Sequence, residues 1–301
     1  MMRKIAVAAG IFAFFLAGSA SAKELTAVAS FTVLADMVQQ VGGAHVHVKS
    51  LVGPNGDPHV YEPTPSDADA LAHADLVFVS GLGLEGWIDR LISSSGTKGK
   101  IIVASDGIAA RTMVDEDDGP TKGKTITDPH AWNSAANGAI YAANIEKALI
   151  DADPEDAADI KASGDRYIAQ LRDLDAWARK EIDAVPKARR KVITSHDAFS
   201  YLGAAYGISF LAPQGVSSEA EPTAAQVAAL IRQIRAEKVK TVFIENQTDP
   251  RLVTQVAREG GAKIGGELYP EALSKADQPA STYVKAFTYN IETLKAGMLG
   301  K

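Results

Sequence analysis

The chain has no cysteine among its 301 residues. No disulfide can brace the fold, no thioether can carry a lipid, and any metal site must use nitrogen and oxygen donors. Beyond residue 22, no apolar run approaches the roughly 20 residues that a membrane-spanning helix needs. Histidine is scarce, with six in all, and 31 basic residues face 37 acids, for a formal charge of -6. That balance argues against nucleic acid as a partner, because phosphate contacts need clustered Lys and Arg. No GxxxxGK[ST] loop occurs, so the chain lacks that means of hydrolysing a nucleotide.

What is present begins with MMRKIAVAAGIFAFFLAGSASA, residues 1–22. Arg3 and Lys4, the apolar run from Ile5 to Leu16 and the small-residue ending Ala20-Ser21-Ala22 predict a cleavable signal peptide, cut after Ala22. The expectation is an exported, soluble chain without a lipid anchor, since no cysteine follows the apolar run. Loss of Arg3 and Lys4 makes the remainder more negative by two charges, which suits a cationic ligand and equally suits ordinary solubility. With 46% hydrophobic residues, a chain of this length can bury a sizeable core and favours two domains.

From Leu25 onward, short apolar runs alternate with helical patterns: LTAVASF, a helix near Thr32 to Val41, HVHVKSLV, a helix near Ser66 to His73, ADLVFVSG, a helix near Leu84 to Ser93, then KIIVAS. Such alternation predicts a mostly parallel sheet flanked by helices. This first α/β lobe occupies 23–153. From Pro154 to Val185, apolar residues at Ile160, Tyr167, Ile168, Leu171, Leu174, Trp177 and Ile182 recur at helical spacing. A helix of about 32 residues would span roughly 48 Å and act as a rigid connector. A second lobe, 186–301, repeats the grammar through KVITSH, SFLAPQ, TVFIEN and KIGGELY, and a helix from Ser281 to Met298 closes it. Two α/β lobes joined by one long helix leave a cleft, and ligands of such sheets gather beyond the carboxyl ends of the strands.

Three histidines fall on that side: His59 in GDPH, His130 in TDPHAW and His196 at the end of KVITSH. In the repeated Asp-Pro-His, proline fixes its own backbone angle and extends the residue before it, presetting the imidazole. Asp57 and Asp128 can accept hydrogen bonds from nearby backbone or ring nitrogens and so fix a tautomer. As a bare tripeptide the motif also fits loop histidines unrelated in space.

Four segments carry a resemblance: VGPNGDPHVYEPTPSDADALAHADLVFVSGLGLEGW, DPHAW, SHDAF, and the stretch from FIENQTDPRLVTQVARE to GAKIGGELYPEALS. Together they resemble the periplasmic zinc or manganese solute-binding receptors of ABC importers, over essentially the whole chain after residue 22. The resemblance implies His59, His130 and His196 as metal ligands. It places a fourth, normally the aspartate of a YSDALS-like segment, at Glu271 of YPEALS, with Asp277 in reserve. Three imidazoles and a carboxylate suit Zn(II), whereas Mn(II) prefers more oxygen. Manganese-specific members usually carry glutamate where His196 stands. Zn(II) is the first expectation for the cargo and Mn(II) the second. The implied partners are an inner-membrane ABC permease and a periplasmic metallochaperone, the implied location is the periplasm, and the receptor is expected to be a monomer.

Two other functions compete. A zinc hydrolase would need an open coordination position, which a fourth protein carboxylate closes. A purely structural zinc would require unfolding on metal removal, at odds with two complete lobes. His45 and His47 alternate along one expected strand and read as structural or solvated, and His73 as a surface residue. Glu245, ending TVFIE, reads as a support for a ligand or as a cap or ion-pair residue; Tyr61, Trp87 and Trp132 read as packing. The acidic stretch Asp115 to Asp118 lies where many zinc receptors of this type carry a histidine-rich loop, and here it has no histidine.

Overall fold

The computed structural model of the chain describes residues 24–114, 123–213, 215, 218 and 223–301. The expected signal peptide and the acidic stretch Asp115 to Asp118 lie outside them. The first lobe contains β1 (Leu25–Ala29), α1 (Thr32–Gly42), β2 (Val46–Ser50), α2 (Pro65–Ala72), β3 (Leu76–Val79), α3 (Ile88–Ser95), β4 (Lys100–Val103) and the short pair β5 (Thr112–Val114) and β6 (Thr125–Thr127). α4 (Ala135–Ala152) and the long α5 (Ala157–Asp183) follow. Then come β7 (Lys191–Ile193), α6 (Ser200–Tyr206), β8 (Ser209–Leu211), α7 (Ala224–Glu237), β9 (Thr241–Glu245), α8 (Pro250–Gly260), β10 (Lys263–Leu268) and α9 (Tyr283–Leu299).

Each lobe is built on a four-stranded parallel sheet, ordered β2-β1-β3-β4 in the first and β10-β9-β7-β8 in the second. β3 is buried along its whole length, as an apolar strand covered on both faces should be. Helix starts follow local chemistry. Pro65 opens α2 behind a Thr64–Asp67 capping box, Thr223 and Gln226 form the same device at α7, and Asp249 caps α8 ahead of Pro250.

α5 buries Ile160, Tyr167, Ile168, Leu171, Leu174 and Ile182 along one stripe. It packs on α1 and α4 of the first lobe and on α6 and α9 of the second. One apolar core therefore runs from Leu25 through Leu171 to Met298, with a smaller cluster where β9 meets α7 and α8. Full burial of a Leu or Ile in such a stripe contributes about 1.5–3 kcal/mol.

Several local expectations differ from the structure. α3 begins at Ile88, because Gly81, Leu82 and Gly83 all take positive φ and turn the chain first. A Cβ on Gly81 would lie 2.6 Å from Val103 Cγ1, so this turn needs glycine. α4 was hidden by Asn137-Gly138, a turn signal in its first turns. There Gly138 admits Tyr283, whose hydroxyl would stand 2.8 Å from an added Cβ. His45 ends a 3-10 turn (Gly43–His45) outside β2, so it and His47 are not strand neighbours. β7 ends at Ile193, leaving His196 in the loop beyond it.

Candidate metal centre

Four loops at the carboxyl ends of the strands converge between the lobes. His59 lies in the loop after β2, His130 precedes the 3-10 turn Ala131–Asn133, His196 follows β7, and Glu271 follows β10. His59 is 7% exposed, and His130, His196 and Glu271 are fully buried. Glu271 Oε1 lies 2.8 Å from His59 Nε2, 2.7 Å from His130 Nε2 and 3.1 Å from His196 Nε2. The Nε2 atoms of His59 and His130 are 3.2 Å apart. Tetrahedral zinc bonds of about 2.0–2.1 Å would set such ligand atoms about 3.3 Å from one another. The four distances, 2.7 to 3.2 Å, are somewhat shorter than that edge, and all four donor atoms lie within 4.8 Å of one another.

The rings of His130 and His196 are aimed from behind, and His59 is held through its backbone. The backbone N–H of His59 donates to Asp57 Oδ1 at 2.8 Å, and Pro58 O accepts the Trp87 indole N–H at 2.8 Å. His130 Nδ1 lies 2.8 Å from Asp128 Oδ1, which also accepts the His130 backbone N–H at 2.9 Å. Ser200 Oγ and the Asp128 Oδ2 atom close that network. His196 Nδ1 lies 2.6 Å from Glu245 Oε2, while Glu245 Oε1 accepts the Ser195 N–H at 2.8 Å. With both Nδ1 atoms facing carboxylates, the Nε2 lone pairs of His130 and His196 are directed to the centre.

The electrostatics are those of a tightly coupled cluster. Burial alone would raise the Glu271 carboxyl, but His59 and His196, with hydrogen bonds from His130 and His196, hold it well below the usual carboxylate range. Burial alone would lower His130, yet Asp128 and Glu271 push it up to about 9. His196 is likewise raised well above 6.5, its burial outweighed by Glu245 and Glu271. Burial also works against the Asp128 charge, and the His130 ring holds that carboxyl below its ordinary value.

A buried, preformed set of three imidazoles and one carboxylate has the donor chemistry to fit a divalent cation. Comparison with known proteins agrees. The sequence family described as zinc-uptake complex component A, periplasmic (ZnuA), matches residues 27–297. The chain belongs to this family. Manganese-binding lipoprotein MntA of Halalkalibacterium halodurans is 30% identical, over 97% of this chain and 94% of that one. Iron-binding protein YfeA of Yersinia pestis is 33% identical, over 93% and 88%. The solved structure of the periplasmic zinc binding protein TroA from Treponema pallidum superposes with a TM-score of 0.83 at 29% identity, covering 92% of this chain and 99% of that one.

The ZnuA-family chain is therefore a metal-binding receptor of the ABC-importer type and not an enzyme. MntA is named a lipoprotein, which departs from the expectation of an unanchored chain; the sequence here has no cysteine to carry a thioether. Asp277, the reserve candidate, is exposed and stands outside the cluster. His47 and His73 are exposed and distinct from the cluster as well.

Besides Trp87 and Ser200, three supporting residues escaped the sequence reading or were read as packing. Trp132 donates its indole N–H to Pro270 O at 2.8 Å, fixing the peptide just before Glu271, and Asn133 Nδ2 donates to the same carbonyl at 3.1 Å. Gln247, two residues past β9, donates its amide to Glu271 Oε2 at 3.1 Å. The adjacency of Trp132 and Asn133 to DPH was a usable signal. Nothing local marks Gln247.

Proposed function

We propose that the protein captures Zn(II) in the cleft between its lobes, with His59, His130, His196 and Glu271 as the ligands. The observation that carries this reading is the division of labour within Glu271. One oxygen faces all three imidazoles, and the other is engaged by Gln247, which supports a four-coordinate site of three nitrogens and one oxygen. Zn(II) accepts that number and donor set, whereas Mn(II) favours six ligands richer in oxygen.

Mn(II) is the second reading, favoured by the full-length similarity to a manganese-binding relative. A bidentate Glu271, freed from Gln247, would supply the extra oxygen. We further propose that the receptor works in the periplasm as a monomer after loss of residues 1–22. On this reading a metallochaperone loads it, and it passes the ion to an inner-membrane ABC permease. Lobes 23–153 and 186–301 would act as units about the segment 154–185. The core that runs unbroken across both lobes supports a small loop or rigid-body adjustment on release, because a wide hinge would have to split it. A polar depression is bounded by Asp57, Val60, Gln247, Thr248, Asp249 and Arg251, of which Asp57 and Gln247 also hold the site.

The test is a competition titration of the metal-stripped protein with Zn(II) and Mn(II). One tightly held Zn(II) that excess Mn(II) fails to displace is the expected result. Preferential retention of Mn(II) would overturn the zinc assignment, and an open, water-bearing fourth position would overturn the ligand set.

A further inference from the structure

A second group of donors lies away from the cleft, where the break between α4 and α5 meets the turn after α1. His45 Nδ1 is 2.9 Å from Asp156 Oδ2, and its Nε2 is 3.8 Å from Asp159 Oδ2. Asp153 caps the end of α4 and Asp156 the start of α5. One donor atom from each of His45, Asp153 and Asp156 lies within 4.8 Å of the others.

The carboxylates in this group are incompletely satisfied. Asp153 is only 9% exposed, and although its Oδ1 accepts the Asp156 backbone N–H at 3.3 Å, its Oδ2 is buried without a hydrogen-bond partner. Asp156 Oδ2 is also buried without one; the close approach of the His45 ring is not aligned as a hydrogen bond. A buried acceptor left unpaired costs about 1–3 kcal/mol, more when charged. Two carboxylates that bring oxygens within 4.8 Å of each other also repel, unless a proton or a cation lies between them. An imidazole nitrogen at the same point adds a donor that favours a transition-metal ion over an alkali cation.

We propose that His45, Asp153 and Asp156 form a second site for a divalent first-row cation, separate from the cleft. The Nδ1 atom of His45 is the ring nitrogen that faces Asp156, and Asp159 adds a further carboxylate 3.8 Å from Nε2. The carboxyl end of α4 adds negative potential; the amino end of α5 opposes the cation but keeps the carboxylates ionised. His45 and Asp156 side chains are 26% and 21% exposed, so water completes the coordination and the ion exchanges more readily than one in the buried cleft. Bound there, it cross-links the end of α1 to the start of α5, the helix on which both lobes pack.

Equilibrium dialysis of the purified protein against Zn(II) and Mn(II), each alone, tests this together with thermal melts. The wild type should hold one equivalent beyond the cleft ion. A His59→Ala/His196→Ala variant, with the cleft disabled, should retain that equivalent and still melt higher when Zn(II) is added. His45→Ala should weaken the extra equivalent by about 10-fold or more while leaving cleft affinity unchanged. Asp153→Asn should do the same and should raise the melting temperature of the metal-free protein by removing the repulsion. A cleft-disabled variant that binds neither metal overturns the second site, as does an extra equivalent that survives both His45→Ala and Asp153→Asn. Failure of the cleft assignment reads differently: the cleft-disabled variant would then match the wild type in stoichiometry.

Discussion

Gln247 donates its amide to Oε2 of Glu271 at 3.1 Å, while Oε1 of the same carboxylate faces His59, His130 and His196. The amide contact steers the carboxylate toward single-oxygen coordination. Gln247→Ala should release Oε2, permit bidentate binding and lower the preference for Zn(II) over Mn(II) by about 10-fold. With Co(II) as a probe, the visible absorption of the variant should weaken as coordination rises above four. An unchanged metal preference together with an unchanged Co(II) spectrum would remove Gln247 from the selectivity argument.

His59→Ala deletes one donor from a buried cage but touches little of the apolar core. Affinity for Zn(II) should fall by about 100-fold or more, and the circular dichroism spectrum should stay that of the wild type. Wild-type affinity in an equilibrium titration would reject His59 as a ligand.

Glu245 aims His196 from the end of β9, through a 2.6 Å contact at Nδ1. Glu245→Gln keeps the shape and an acceptor but removes the charge that makes the imidazole a stronger donor. Zinc affinity should drop by about 10- to 100-fold, expressed mainly as faster release in a chelator chase. Release at the wild-type rate would reduce Glu245 to a packing residue.

His130, raised to about 9, and His196, raised well above 6.5, bind protons near neutral pH in the metal-free protein. Because their folded values exceed the unfolded value of about 6.5, the stabilisation they bring is complete below that pH. It is lost as pH rises through about 9 for His130. Melting temperature of the metal-free protein should therefore decline across that window, and that of the zinc-loaded protein should not. Zinc must displace these protons, so affinity should keep climbing with pH up to about 9. Calorimetry in buffers of different ionisation enthalpy, at about pH 7, should register proton release; its absence would refute the coupling.

His59 and His130 stood out as candidates because proline stiffens their loops, and His196 because it ends an apolar run, but their role as ligands came from the resemblance. Each signal is local. Glu271 was reached only through resemblance, since it is one of 37 acids and nothing beside it announces a ligand. Trp132 looked like core, and it is buried, but its indole N–H holds the carbonyl before Glu271 across 138 residues of chain. Gln247 was invisible because its role depends on a carboxylate from another loop.

By itself, the sequence determined what periodicity and composition control: alternating strands and helices in two α/β lobes, a long amphipathic helix between them, and metal donors limited to nitrogen and oxygen. Tertiary structure alone decided which donors meet. His59 reaches His130 across 71 positions and Glu271 across 212, and Gln247 engages the Glu271 oxygen that is turned from the imidazoles. His45 meets Asp153 and Asp156 only because α1 packs on α4 and α5. Coordination depends on distances of a few ångströms between remote segments, and those distances exist only once the core has closed.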